Sequence, residues 1–424
     1  VTPRPREFLI DLFDTALRAV DPAVRLPAVL TQPSADGRLV VIGAGKAAAA
    51  MALAAAGFYG DRAEGVVVTR HGYGLCGGEN TGRIEVIEAS HPVPGALSLS
   101  AANAILARLA GLTAADLVVC LLSGGASALM ERPAPGLTLE ALQSITSDLL
   151  KSGARIGEIN TVRKHLSLIK GGRLALAAAP ARVETFAISD VPGDMPSLIA
   201  SGPTVPDPST CADALTILRR YEIVLPQPVE QALADGRLET PKPGDARFAA
   251  QRFHLVGSSS DALAAASKQG REAGYDVLNL GDRVEGEATE IAALHAEHAV
   301  QASLSGRPAL ILSGGELTVT YGGGGSGGPN REYSLALAIA LGGRVKAWTF
   351  AADTDGIDGT PDAAGAFGEP DTLARAAAAE LDPRAFLTAH DSGGFFKALG
   401  DDFVPGPIRN NVSDFRAILV DGAC

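Results

Sequence analysis

The stretch Leu39-Val-Val-Ile-Gly-Ala-Gly-Lys-Ala-Ala-Ala-Ala-Met51 passes from four apolar residues through a glycine turn and one lysine into an alanine-rich run. That order reads as a buried strand, a tight turn and the start of a helix. Gly43 and Gly45 allow a sharp turn and close approach of backbone to a ligand. The first amides of the new helix, with its dipole, suit an anion such as phosphate, and Lys46 adds a full positive charge there. The competing reading is an ordinary strand-to-helix turn with a solvated lysine.

Outward from this unit the same grammar repeats. A leading helix is expected from Phe8 to Val20, stopped by Asp21-Pro22. Strands are expected at 65–70, 84–89, 117–122 and 183–188, with helices at 98–110 and 138–152 between them. Buried strands alternating with helices specify an α/β protein with a Rossmann-like, doubly wound parallel sheet. Ligands in such sheets bind beyond the carboxyl ends of the strands, where Lys46, Ser123-Gly124-Gly125-Ala126-Ser127 and Ser189-Asp190 all fall. The segment 160–173 holds four Lys or Arg residues, by default a solvated helix face.

The proline- and charge-rich stretch 223–247 reads as the linker, dividing the chain into domains at 1–245 and 246–424. Strand-to-helix grammar restarts at Phe253, and Ala309–Thr320 repeats a strand ending in Ser-Gly-Gly, here Ser313-Gly314-Gly315-Glu316. A glycine loop over 322–328 closes onto a helix near Asn330, and strand 345–351 ends at Asp353-Thr-Asp355-Gly-Ile-Asp358-Gly359. The second domain is therefore a smaller α/β unit. Three carboxylates this close call for a cation or for hydrogen-bond donors; oxygen ligands of this kind suit Mg²⁺ shared with nucleotide phosphates. Capping of turns and helices is the alternative.

Composition removes several classes of function. A net charge of −12 with no basic arm argues against nucleic acid as partner. No apolar run is long enough for a membrane span, and no signal pattern marks the N-terminus, so a cytoplasmic protein is expected. Cys76, Cys120, Cys211 and Cys424 have neither metal-ligand spacing nor obvious pairing, and read as reduced. There is no Gly-x-x-x-x-Gly-Lys-Ser/Thr motif. The Gly43-x-Gly45-x-x-Ala48 spacing fits a loose dinucleotide fingerprint, but strand 65–69 ends at Thr69-Arg70 without the ribose-binding acid, leaving only an NADP reading. From the residues, phosphoryl transfer or another phosphate-handling reaction is the expectation.

Several blocks together resemble the glycerate 2-kinase family: Gly43-Ala-Gly-Lys-Ala47, Ser90-His-Pro-Val-Pro94, Leu122-Ser-Gly-Gly-Ala-Ser-Ala128, Arg163-Lys-His-Leu-Ser167 with Lys170-Gly-Gly-Arg-Leu174, Ser189-Asp-Val-Pro-Gly-Asp194, Ser313-Gly-Gly-Glu316 and Asp353-Thr-Asp-Gly-Ile-Asp-Gly359. That family joins a glycerate-kinase N-terminal domain to a C-terminal MOFRL domain, whose core would begin near residue 309 here. The resemblance implies ATP-dependent phosphorylation of D-glycerate at its 2-hydroxyl, with Mg²⁺, in a cleft between two α/β domains. It implies Lys46 as the glycine-turn lysine, while the family's second cation, which precedes the Asn of a Gly-Gly-x-Asn loop, is replaced by Pro329; Arg331 is the substitute expected here. On this reading Lys46 and Arg331 neutralise phosphoryl or carboxylate charge. Gly43, Gly45, Ser123, Gly124, Gly125, Ser127, Gly314, Gly315, Glu316 and Asn330 line the substrate and phosphate sites, Asp190 orients or deprotonates the hydroxyl, and Asp353 with Asp355 holds Mg²⁺. Some relatives carry the label hydroxypyruvate reductase, so an NADPH-dependent reductase is the alternative, and a non-catalytic nucleotide or sugar-acid binder a third. The sequence leaves monomer and homodimer equally open.

Overall fold

The computed structural model describes residues 4–320, 324–360 and 362–422. The chain forms two compact units, one of residues 22–256 and one of residues 1–21 with 257–424.

In the first unit, six strands form one sheet: β1 Leu39–Ala44, β2 Ala63–Arg70, β3 Arg83–Ala89, β4 Leu117–Leu122, β5 Arg182–Ser189 and β6 Arg252–Ser258. Their order is β3-β2-β1-β4-β5-β6, and β1/β2, β2/β3, β1/β4 and β4/β5 pair in parallel. β1 and β4 are buried along their whole length, which is why both are unbroken apolar runs. The order reverses direction between β1 and β4, so the Gly43–Lys46 turn and the Ser123–Gly125 turn lie side by side at the topological switch point. Residues Leu142, Ile145, Leu149, Ile159, Val162, Leu215 and Val229 form a second, helical core in the same unit.

The expected linker is not one. Within 223–247 lies the helix Gln227–Ala234, whose Val229, Ala232 and Leu233 are buried in that helical core. The expected division at 245/246 also differs from the observed one, because β6 completes the first sheet. The leading helix Pro5–Ala19 belongs with the second unit, where its Phe13 meets Phe350, Phe403 and Phe415 edge-on at 5.4–5.7 Å between ring centroids.

The second unit contains β7 Asp276–Asn279, β8 Gly286–Glu287, β9 Ala309–Gly315, β10 Leu317–Thr318, β11 Ala347–Asp353, β12 Gly365–Gly368, β13 Asp402–Phe403 and β14 Asp414–Val420. Its main sheet has the order β13-β12-β11-β14-β9-β7; β7/β9 is parallel and the other pairs are antiparallel. The helix Pro329–Leu341 packs on β11 and β12. Of the expected glycine loop, residues 322 and 323 lie outside the described residues.

Candidate active site at the switch point

The glycine turn after β1 does not offer its amides to a ligand. Gly45 N–H donates to Val68 O (3.0 Å), Lys46 N–H to Gly124 O (2.8 Å), Ala47 N–H to Ser123 Oγ (3.0 Å) and Ala48 N–H to Gly45 O (3.0 Å). The expected phosphate cradle at Gly43 and Gly45 is therefore corrected. These glycines let two neighbouring strand ends touch, since a Cβ on Gly43 would collide with Leu121 O and one on Gly45 (φ +139°) with Ser123 Oγ.

What the packed turn does is fix Lys46. Its side chain runs beside Gly125, where an added Cβ would lie 3.5 Å from Lys46 Cγ and 3.0 Å from the His91 ring. Gly125 is left-handed (φ +83°), and among the described residues the Gly124 and Gly125 amides donate to no protein acceptor. Lys46, His91 and these amides thus share one edge of the sheet.

Next along that edge, β5 delivers the half-buried Asp190 immediately after Ser189. Beyond it, Ala200, Ser201 and Gly202 are three successive residues with φ of +54°, +60° and +61°. Left-handed geometry costs a non-glycine residue roughly 1–2 kcal/mol. Here it is held by Gly171 N–H to Ser201 O (3.0 Å) and Gly172 N–H to Gly202 O (2.7 Å). The strained turn places Ser201 Oγ 2.8 Å from Ser127 Oγ and 3.4 Å from Asn160 Oδ1. Ser201 and Asn160 were not singled out from sequence, because nothing in Ala-Ser predicts a left-handed turn.

A cavity of about 410 Å³ opens here, with His91, Gly125, Ser127 and Arg163 on its polar side and Val93, Leu142 and Leu150 on its apolar side. The cation-rich segment 160–173 is not a solvated face. Lys164 and Lys170 are buried, Lys164 paired with Asp207 (3.2 Å) and Lys170 in a short ion pair with Glu131. Burial pushes the Lys170 ammonium down to about 8, and the Glu131 carboxylate opposes that shift.

In the second unit the expected site residues serve the fold. Arg331 is fully buried; its Nε contacts Asp358 (3.3 Å) and its Nη2 donates to Thr360 (2.6 Å) and Asp362 (3.0 Å). Asp358 also accepts the backbone N–H groups of Asn330 and Arg331, both at 2.9 Å, and so caps the helix Pro329–Leu341. Asn330 Nδ2 donates to Asp414 (2.7 Å). Arg331 as a substrate-facing cation is thus corrected: the side chain is fully buried, its Nε and Nη2 are taken by the protein's own oxygens, and its Nη1 lies 3.7 Å from Asp402. So is Gly314 as an anion-binding amide, because its N–H donates to Gly281 O (2.9 Å). Gly315 is left-handed (φ +105°) and paired with Asp414, while Glu316 is exposed at the strand break.

Asp353 Oδ1 accepts from Asp355 N–H and Asp355 Oδ1 from Ile357 N–H, both at 2.8 Å, so each carboxylate closes a turn with one oxygen. With Asp358 committed to Arg331, the other two carboxylates of the run, which could offer oxygens to a hard cation, are Asp353, half-buried, and Asp355, buried. Among the described residues, His165, Cys211 and Glu239 bring three ligand atoms within 4.8 Å of one another. That cluster already holds a cation, because Lys242 Nζ lies 2.5 Å from Glu239 Oε1. Burial pushes the Cys211 thiol up to about 11, away from the thiolate a metal needs.

Fold and site together define a doubly wound α/β protein with a cation and unengaged amides at the switch point, joined to a mixed-sheet second unit. Comparison with known proteins narrows this. Residues 8–234 match a domain of unknown function (DUF4147) and residues 309–414 the MOFRL family. The chain is 37% identical to the D-glycerate 2-kinase of Thermotoga maritima, covering 98% of each protein. The crystal structure of a Thermotoga maritima glycerate kinase superposes with a TM-score of 0.86 at 36% identity, covering 98% of this chain and 99% of that one. A protein of Agrobacterium vitis named "Putative hydroxypyruvate reductase" is 50% identical, over 98% of this chain and 94% of its own length. The chain belongs to the glycerate 2-kinase family.

Proposed function

We propose that the protein transfers the γ-phosphoryl group of ATP to the 2-hydroxyl of D-glycerate, giving 2-phosphoglycerate and ADP. The observation that carries this is the switch-point edge, where Lys46 lies along Gly125 beside two amides with no protein acceptor. Phosphoryl transfer needs positioning and charge stabilisation rather than covalent chemistry, and a fixed ammonium with aimed N–H groups supplies both. Asp190, on the same edge, is assigned to orient or deprotonate the acceptor hydroxyl. In the second unit, Asp353 and Asp355 would supply the hard oxygen ligands that Mg²⁺ takes, and the ion would supply charge neutralisation for phosphate. The resemblance to named glycerate kinases across nearly the whole chain supports the substrate pair.

The name of the Agrobacterium relative favours a second reading, reduction of hydroxypyruvate with NADPH. Against it stands the glycine turn, whose amides are all engaged and offer no cradle for a pyrophosphate. A ³¹P NMR spectrum of protein with D-glycerate, ATP and Mg²⁺ decides between them: a 2-phosphoglycerate resonance is expected. No phosphoester, with NADPH oxidised by hydroxypyruvate instead, would replace the kinase with the reductase. Lys46→Ala should lower kcat by roughly 10²-fold or more with the thermal midpoint nearly unchanged; near-normal turnover would remove Lys46 from the mechanism.

A further inference from the structure

Arg163 is the group in the cavity that the switch-point chemistry leaves unused. It sits in the helix Ile156–His165, partly buried, and reaches the cavity wall beside Ser127. Its Nη2 donates to Ser127 O at 3.3 Å, a long contact to a neutral carbonyl. Glu131 also lines the cavity, but its carboxylate is taken by Lys170 on one oxygen and by Ser167 Oγ (2.7 Å) on the other. Among the described residues no carboxylate stands within ion-pair distance of Arg163. Burial disfavours its charge and the Glu131 charge only partly offsets that. A desolvated guanidinium facing a cavity without a counter-ion is costly unless a ligand supplies one. Its planar fork of N–H donors matches a carboxylate in two parallel bonds.

We propose that Arg163 is the anchor for the carboxylate of the 2-hydroxy-acid acceptor, a role that rests on the phosphoryl-transfer reading of the same site. Two anionic groups compete for this cation, the acceptor's carboxylate and a nucleotide phosphate. The arrangement favours the carboxylate, because Lys46 and the unengaged Gly124 and Gly125 amides already form the anion site assigned above to the phosphoryl group, while Arg163 lies against Ser127. Polar side chains share the wall with it: Ser127, Gln143, Thr146 and Ser147 line the cavity, and the Ser127 Oγ is braced from behind by the buried Ser201 Oγ at 2.8 Å. A short polyhydroxy acid held at one end by Arg163 would find partners for its alcohols there. The preferred acceptors are then small 2-hydroxy carboxylates, and an alcohol of the same length without the carboxylate should be a poor substrate.

The test compares wild type with Arg163→Gln and Arg163→Lys by steady-state kinetics and by calorimetric titration of D-glycerate in the absence of nucleotide. Expected for Arg163→Gln is a rise in the D-glycerate KM and Kd of roughly 50-fold, with the ATP KM within about twofold. The Lys variant keeps the charge without the fork and should fall between, which also covers the case in which the Gln variant does not fold. With glycerol as acceptor all three proteins should perform alike. Unchanged D-glycerate KM and Kd in both variants would overturn the assignment, as would a rise confined to the ATP KM, which would give Arg163 to the nucleotide. If wild type binds D-glycerate in an Arg163-dependent way yet forms no phosphoester, the anchor stands and the kinase reading falls. If wild type phosphorylates D-glycerate and the variants bind it normally, the kinase stands and the anchor falls. Absence of both binding and turnover in wild type would overturn both.

Discussion

Single residues at this site divide into those that face a ligand and those that resemble ligand-facing groups only in sequence. Arg331 is the plainest of the second kind. An arginine beside Asn330 at the foot of a glycine loop invites a phosphate-binding role, yet its guanidinium is sealed against Asp358, Asp362 and Thr360. Arg331→Met removes one partner of a buried pair and should lower the unfolding free energy by about 3–5 kcal/mol, read from urea denaturation. The turnover of the folded fraction should stay close to wild type; a large fall in kcat without loss of stability would return Arg331 to the active site. Lys46 and Arg331 both stand at a helix start just after glycines, so spacing cannot separate them. The difference lies in acids 27 to 31 positions downstream of Arg331, whose approach only the folded chain reveals.

At the scale of elements, the strand-turn-helix unit that begins at Leu39 was legible because β1 and β4 are central strands buried on both faces, and burial of that kind writes itself as an unbroken apolar run. Its purpose was less legible. Sequence alone makes the two glycines ligand-binding, whereas their hydrogen atoms are what allow the turns after β1 and β4 to pack together. Gly45→Ala should therefore act on folding: a φ of +139° and a collision with Ser123 Oγ predict a loss of about 2–4 kcal/mol in equilibrium unfolding. A variant that is as stable as wild type but weak in nucleotide binding would restore the glycine turn to the ligand. The turn at Ala200–Gly202 was illegible for the opposite reason, since its left-handed backbone is held by N–H bonds from Gly171 and Gly172 to its carbonyls rather than by its own residues.

For the whole molecule, hydropathy and proline content placed the boundary in 223–247, and packing moved it to the end of β6, since a proline-rich segment can carry a helix whenever a core is there to receive it. One global property follows from a buried histidine in the second unit. His295 Nδ1 shares a hydrogen bond with the Tyr333 hydroxyl at 2.7 Å, and burial, with Arg416 and His298 nearby, lowers its pKa from the usual 6.5 to about 3. Between those values the unfolded chain takes up a proton that the folded chain does not. Stability contributed by the neutral ring is thus complete above pH 6.5 and shrinks as pH falls, by up to ~1.4 kcal/mol per unit. His295→Gln should flatten the acid limb of stability against pH relative to wild type; parallel curves would mean the ring is not neutral in the fold.

The helix Pro5–Ala19 has a consequence for how the chain is made. It leaves the ribosome well before the aromatic rings that bury its Phe13, which belong to residues 350, 403 and 415. At ordinary elongation rates it waits on the order of tens of seconds for them. Residues 22–256 can meanwhile complete their own sheet, so synthesis finishes the inserted unit first and the discontinuous one last. A chain released after β6 but before β11 would carry a finished first sheet and a leading helix whose Phe13 lacks all three of its rings.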